Sequence, residues 1–286
     1  MTKKAFLYIV LVLTSLSANA QNFYSAGEAG FSVGGAQYFG DLNETRFDYI
    51  RPAGGVFFRY HFNPYISAKV SLNYAHVGYD DNLSDNPYEI KRNLNFQSDI
   101  LEASVQAEFN FFRFATGAEK SRFTPYLTGG FGIFYYNPYT TFKDERYYLR
   151  PLGTEGQNVG YDDHKYKRTS FCFPLGVGLK YWLRPGVNIG FEIADRLTLT
   201  DYMDDVSTYY VGGNFFAGGL KEPPPAYYLQ DRSLEVTPTE PLGRAGKQRG
   251  NPSTRDQYMT AIFTISFQLK VYKCPGYMNR DFPQVD

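Results

Sequence analysis

The sequence predicts an all-β fold: a closed antiparallel transmembrane β-barrel of about eight strands with long external loops. Three observations predict it. Apolar and polar residues alternate with period two over unusually long stretches. The connections between those stretches are short at one end and long at the other. Aromatic and glycine content is high, with 26 Tyr, 25 Phe and 27 Gly, as expected of aromatic girdles and tightly curved strands. The mean hydropathy of −0.40 does not contradict this, because a barrel wall carries its apolar residues only at alternate positions. A formal net charge of zero argues against nucleic acid as a partner.

The chain opens with Met1-Thr2-Lys3-Lys4, an apolar run from Ala5 to Leu13, and Ala18-Asn19-Ala20. A basic start, a short apolar core and a small-x-small triplet predict a signal peptide over 1–20, leaving Gln21 as the mature N-terminus. The apolar run is too short to cross a bilayer as a helix, and no later run is longer. No Cys follows the small residues, so a lipoprotein anchor is not expected. The barrel is then expected over 21–272, with a tail over 273–286.

Taken in order, the first strand, 28–39, is rich in glycine. The second, 53–62, sets Val56, Phe58, Tyr60 and Phe62 against Arg59 and His61. The third, 65–79, sets Ile66, Ala68, Val70, Leu72 and Tyr74 against Ser67, Lys69, Ser71 and Asn73. The fourth, 94–112, alternates Leu101, Ala103, Val105, Ala107 and Phe109 with Glu102, Ser104, Gln106 and Glu108. The fifth, 123–137, interleaves Phe131, Ile133 and Tyr135 with glycines, and the sixth, 168–183, does the same around Lys180. The seventh, 187–200, places Asn188 and Glu192 opposite Ile189, Phe191 and Ile193. The eighth, 258–272, alternates from Met259 to Val271 with one mismatch at Ile262. Strands of soluble proteins are mostly about 5–6 residues, shorter than these.

Asn63-Pro64 and Arg184-Pro185-Gly186 are tight turns, and 113–122 is a somewhat longer connection containing Gly117. At the other end 40–52, 80–93, 138–167 and 201–257 are long. Bacterial barrels keep short turns in the periplasm, so the expected location is the outer membrane, multi-pass, with both mature termini periplasmic. A soluble sandwich or lipocalin-like barrel would turn its apolar face inward. Here the polar face carries Arg59, Lys69, Glu102, Glu108, Lys180, Glu192, Arg196 and Lys270. Eight strands enclose a space that side chains just fill. Nearly balanced charges there predict a salt-bridged plug rather than a pore.

Candidate chemistry is sparse. His61 lies on the inward face near one rim, His76 near the other, and His164 in a long loop beside Asp162 and Asp163. None forms a convincing nucleophile–base pair, and no GxSxG occurs, so no catalytic residue and no cofactor is expected. The run Asp201-Tyr202-Met203-Asp204-Asp205-Val206-Ser207 offers three carboxylates. They suit either a hard cation or, as favoured here, a turn whose Asp side chains cap backbone N–H groups. Beyond it the external segment is poor in apolar residues after Leu229 and is expected to be partly mobile. Its Arg232, Arg244, Lys247, Arg249 and Arg255 suit either contact with lipopolysaccharide phosphates or, as favoured here, a solvated loop, and membrane lipids are the expected surroundings. Cys172 and Cys274 fall at opposite ends of the barrel and are not expected to bond each other.

Several segments carry a family resemblance. They are Glu28-Ala29-Gly30 through Tyr38-Phe39-Gly40-Asp41-Leu42-Asn43, Arg51-Pro52-Ala53-Gly54 leading into Arg59-Tyr60, and Phe123-Thr124-Pro125-Tyr126 with Gly129-Gly130. The most distinctive is Asp195-Arg196 with Thr200 to Ser207. Together they resemble the PorG-like outer-membrane barrels of Bacteroidetes, a small OmpA-like architecture. The resemblance implies a part in type IX protein secretion, next to a periplasmic ring built from PorK and PorN. It brings no catalytic residues. It marks Asp201, Asp204 and Asp205 as a family motif loop. Separately, the chain continues past the last strand from Lys273 to Asp286, and this tail with Cys274 suits a periplasmic partner contact or, equally, a disordered terminus with a spare thiol.

Overall fold

The computed structural model describes residues 27–43, 46–115, 121–184, 186–217 and 223–269. Its long strands are β1 (Gly27–Phe39), β2 (Arg51–His61), β3 (Ile66–Asp80), β4 (Asn95–Asn110) and β5 (Phe123–Tyr135). A short hairpin follows, β6 (Tyr139–Phe142) and β7 (Glu145–Tyr148), and then β8 (Thr169–Arg184), β9 (Val187–Thr198) and β10 (Gln257–Gln268). Apart from the hairpin, each strand pairs antiparallel with the next, and β10 returns to β1 from Glu28↔Gln268 to Phe39↔Gln257. The result is a closed eight-stranded barrel with no free edge. Its shortest strand, β2, has 11 residues and its longest have 16, enough to cross a bilayer when tilted.

The period-two pattern decides which side chains face where. On β4, Leu101, Val105 and Phe109 are exposed on the outer wall, while Glu102, Gln106 and Glu108 are buried inside. The other strands repeat this: Val70 and Leu72 out, Lys69 and Ser71 in; Val177 and Leu179 out, Lys180 in. An apolar outside around a polar inside is the reverse of a soluble barrel and matches a transmembrane one. A charge on that wall has nothing to solvate it. Val105→Arg is expected to destabilise the barrel by about 2–4 kcal/mol near the bilayer midplane. Urea unfolding in lipid vesicles measures this, and an unchanged midpoint would place the wall in water.

Inside, space is made locally. Gly178 faces Tyr126 across the β5–β8 pair, and a Cβ at Gly178 would lie 2.5 Å from the ring. Glycine there lets the tyrosine lie over the backbone and reach Glu192 with its hydroxyl at 2.7 Å. At the short-turn end Phe114 is buried against His61, ring centroids 6.2 Å apart.

The strand expectations and the structure agree to within a few residues, with two differences. Segment 138–167 contains the β6–β7 hairpin, whose turn residues Lys143 and Asp144 both have positive φ, at 51° and 64°. Two four-residue strands are too short to register as an alternation. The last strand ends at Gln268 rather than 272, and Lys270 beyond it is outside the described residues. So are the proposed signal peptide, Cys274 and the tail over 273–286.

The described parts of 201–257 pack over the long-loop mouth of the barrel. Met203, Val206 and Leu229 join a buried cluster with Tyr38, Phe96 and Tyr136. After Leu229, where few residues are apolar, the contacts that hold the segment are mainly buried polar ones.

Candidate functional site: a charge-filled lumen beneath a locked cap

Within the barrel the inward charges meet as neighbours on facing strands. Arg59 on β2 donates to both oxygens of Glu108 on β4, at 2.7 and 3.1 Å. Lys180 on β8 reaches the same carboxylate at 2.6 Å and Asn110 at 3.0 Å. Lys69 on β3 donates to Glu192 on β9 at 2.6 Å and lies 3.6 Å from Glu108. Arg196 on β9 donates to Glu102 at 3.1 Å, and the Tyr258 hydroxyl donates to the same carboxylate at 2.6 Å. Seven of the eight inward charges named from sequence therefore form ion pairs, and the eighth, Lys270, lies outside the described residues.

Sequence reasoning missed Glu28. It lies at the start of the glycine-rich strand and is almost fully buried. It pairs with Arg59 at 3.4 Å, accepts from Asn188 at 2.9 Å, and contacts His61 and Ser266. Its inward parity in β1 was the available signal. His61 thus belongs to the same network, with Ser67 at 2.7 Å from Nδ1. The buried set balances, with Arg59, Lys69, Lys180 and Arg196 against Glu28, Glu102, Glu108 and Glu192. The upper lumen keeps a cavity of about 10 Å³ between Ser32, Asn73, Glu102, Arg196 and Thr260. That is room for roughly one water molecule.

Above this network the four long connections lock into a cap. Its hub is Glu155, fully buried, whose carboxylate accepts from the Ser207 and Thr208 backbone N–H groups and from Arg249 at 3.0 Å. Arg249 also donates to the Asp205 and Gln230 carbonyls. Arg92 forms a two-pronged pair with Asp81 at 2.7 and 2.8 Å and donates to the carbonyls of Arg249 and Asp41. Tyr136, Tyr166 and Tyr202 lie in a parallel stack under the hub.

The three motif carboxylates point in different directions. Asp201 accepts from the Ser207 hydroxyl at 2.6 Å. Asp205, at a positive φ of 67°, accepts from Thr154 and Tyr166 at 2.5 and 2.6 Å. Asp204 accepts from the Val206 N–H at 2.9 Å and contacts Tyr38 at the top of β1. Among the described residues no group of three or more His, Cys, Asp or Glu side chains is arranged to hold a metal ion. His164 rests on the Glu155 carbonyl at 2.8 Å, with Asp163 3.8 Å away, and His76 contacts Asp99 at 2.9 Å.

The contact at Tyr38 has a proton count. Its hydroxyl lies 2.6 Å from Asp204 and 2.8 Å from Asp256. A phenol has one proton to donate, so hydrogen bonds to both carboxyl groups require a second proton on one of the two acids. Burial, together with neighbouring acids, Asp256 and Asp41 for Asp204 and Asp201 and Asp41 for Asp256, pushes both carboxyls well above the usual range. Burial also raises Asp41 and Asp205 to about 6 and Asp201 to about 7. Gly40 makes the contact possible, since a Cβ there would collide with both the Tyr38 hydroxyl and Asp256.

A sequence family described as a domain of unknown function, DUF6089, matches residues 3–210. The chain belongs to the DUF6089 family. The matched region of this DUF6089 chain includes β1 to β9, Glu155 and the Asp201–Ser207 motif, but not Arg249, Asp256 or β10. Among solved structures it is similar to the N-terminal barrel domain of Pseudomonas aeruginosa OprF, with 11% identity, 87% of this chain and 100% of that one covered, and a TM-score of 0.36. It is also similar to Ail, the attachment invasion locus protein of Yersinia pestis, with 11% identity, 85% and 99% covered, and a TM-score of 0.38. A third is Neisserial surface protein A, with 8% identity, 86% and 99% covered, and a TM-score of 0.40. No curated protein matches the chain.

Proposed function

We propose that this DUF6089 barrel is a non-enzymatic, non-conducting outer-membrane component of type IX protein secretion, which anchors and positions a periplasmic ring of the PorK/PorN kind. The observation that carries the non-conducting part is closure at three levels. Phe114 is buried against His61 at the short-turn end, paired charges occupy the lumen, and the cap lies over the long-loop end. With the lumen filled, the surfaces are what remain for function. The secretion role is supported by the resemblance carried by Glu28 to Asn43, Arg51 to Tyr60 and Asp195 to Ser207. On this reading the cap is extracellular, the tail from Lys273 is periplasmic, and Cys274 and its neighbours form the ring contact.

Two experiments test the proposal. Gentle detergent extraction with the tagged full chain is expected to recover a ring lipoprotein. Absence of the lipoprotein, together with normal protein secretion in a deletion strain, would sink the secretion role. In planar bilayers the purified barrel is expected to give no stable conductance steps, and steady channels would overturn the plug. A second reading is a stand-alone barrel whose cap binds a surface ligand. It is favoured by Tyr88, Ile90, Leu234 and Val236, which remain exposed on the cap. Normal secretion in the deletion strain with altered surface binding would select it.

A further inference from the structure

The lipid-facing wall carries an acid. Along β9, Asn188, Glu192 and Arg196 are buried inward, while Ile189, Ile193 and Leu197 are exposed outward. Asp195 falls on the outward parity, between Ala194 and Arg196, both of which face the lumen. From Ile189 to Leu199 every other outward residue of this stretch is apolar. The cross-strand neighbours of Asp195 are Leu175 on β8 and Met259 on β10, also on the outer wall. Leu199, still exposed, lies four residues nearer the long loops. At about 3.3 Å per residue and a tilt of roughly 40°, Asp195 sits about 10 Å below the top of the apolar wall.

Asp195 is incompletely paired: its carboxylate accepts the Arg196 backbone N–H but no side-chain donor. Its Oδ1 is buried and has no hydrogen-bond partner. Gln37 occupies the same cross-strand row, through Gln37↔Met259↔Asp195, and its Oε1 is likewise buried without a partner. Both atoms are acceptors, so what the row lacks is a donor. Lipid headgroups lie above this depth. A second copy of the chain meeting face to face would bring carboxylate to carboxylate. An ionisable group in the apolar region is costly unless something pairs with it.

We propose that Asp195 is the contact point for a second membrane-spanning protein that presents a lysine or arginine to this wall at the same depth. Rotation about the Cβ–Cγ bond lets either carboxylate oxygen accept the donor, while Leu175, Met259 and Leu197 supply the surrounding apolar contact. The inference rests on the reading of the chain as a membrane barrel. It is independent of the ring contact, which lies at the short-turn end.

The test uses the full chain in its native membrane, with a photocrosslinking amino acid in place of Met259. The expected product is an adduct with a membrane protein whose spanning segment carries a Lys or Arg, and Asp195→Leu is expected to lower its yield at least tenfold. Asp195→Leu is also expected to raise the unfolding midpoint of the isolated barrel, because it removes from the apolar wall a charge that no side chain pairs with. Asp195→Asn serves as a second variant if the leucine variant assembles poorly, and it too should lower the yield. Adducts with lipid alone or with another copy of the chain would overturn the proposal. So would an adduct yield unchanged by both variants, or a lower midpoint for Asp195→Leu. Loss of the ring pull-down with the Met259 adduct intact would instead count against the secretion reading alone.

Discussion

Replacing Glu108 with alanine is expected to lower the unfolding free energy of the barrel by about 3–5 kcal/mol, the usual cost of breaking a buried ion pair from one side. Glu108 is almost fully buried and is shared by Arg59 and Lys180, with Lys69 close by. Its removal leaves several cations facing one another in a space with little water. The cost comes from the stranded cations more than from the attraction that is lost. A double variant that also changes Lys180 to methionine should therefore recover part of the loss, and the non-additivity measures the coupling. Trp182, the single tryptophan, lies buried on β8 and reports unfolding directly. An effect below about 0.5 kcal/mol, the range of ordinary surface changes, would mean that the lumen is hydrated and the plug is wrong.

The cap should hold most tightly at acidic pH and loosen as pH rises. Asp204 and Asp256 bind a proton more tightly in the folded cap than in the unfolded chain, because burial and several neighbouring acids raise their pKa values. Asp41 and Asp205 at about 6 and Asp201 at about 7 shift in the same direction. For groups raised on folding, stability is complete below the unfolded value near 4 and is lost as pH climbs through the folded values. Each proton on the fully buried Asp204, Asp205 and Asp256 contributes roughly 1.4 kcal/mol per pH unit across its window, and those on the partly exposed Asp41 and Asp201 contribute less because solvent screens them. Hydrogen exchange over 199–256, corrected for the intrinsic rate, should therefore be faster at pH 9 than at pH 5.5, while the strands stay protected.

Asp256→Asn should weaken this dependence, leaving the part carried by Asp41, Asp201 and Asp205. Its amide oxygen can accept the Met203 N–H that Asp256 now receives at 2.6 Å. Its NH₂ can donate to Tyr38, which then donates to Asp204. The amide thus reproduces the protonated acid without needing the extra proton. Exchange in the cap that is equal at the two pH values in the unaltered chain would rule the mechanism out. Gly40→Ala should open the cap at every pH, since its Cβ occupies the space of the Tyr38–Asp256 contact.

The lumen was largely legible from sequence. Once an alternating stretch is assigned to a strand, a charge at position 108 or 192 has only one side to face, and seven inward charges followed from parity alone. Glu28 escaped because the glycines around it, Gly27 and Gly30, blur the alternation of β1. The cap was scarcely legible. Glu155 and Arg249 are 94 residues apart in sequence, and Tyr38 and Asp256 are 218 apart. Nothing periodic links them, and their loops read as polar and irregular.

By itself the sequence determined the barrel, its strand count and the inward placement of its charges. All three follow from a local rule, the two-residue repeat of an extended chain, which needs no knowledge of distant partners. Only the tertiary structure decided which charges pair, that the motif at Asp201 to Ser207 locks a cap, and that Asp195 on the outer wall is left with one oxygen unpartnered. Those outcomes depend on the stagger between strands and on the path of four loops. Both are set by contacts across the closed barrel, which local patterning along the chain does not encode.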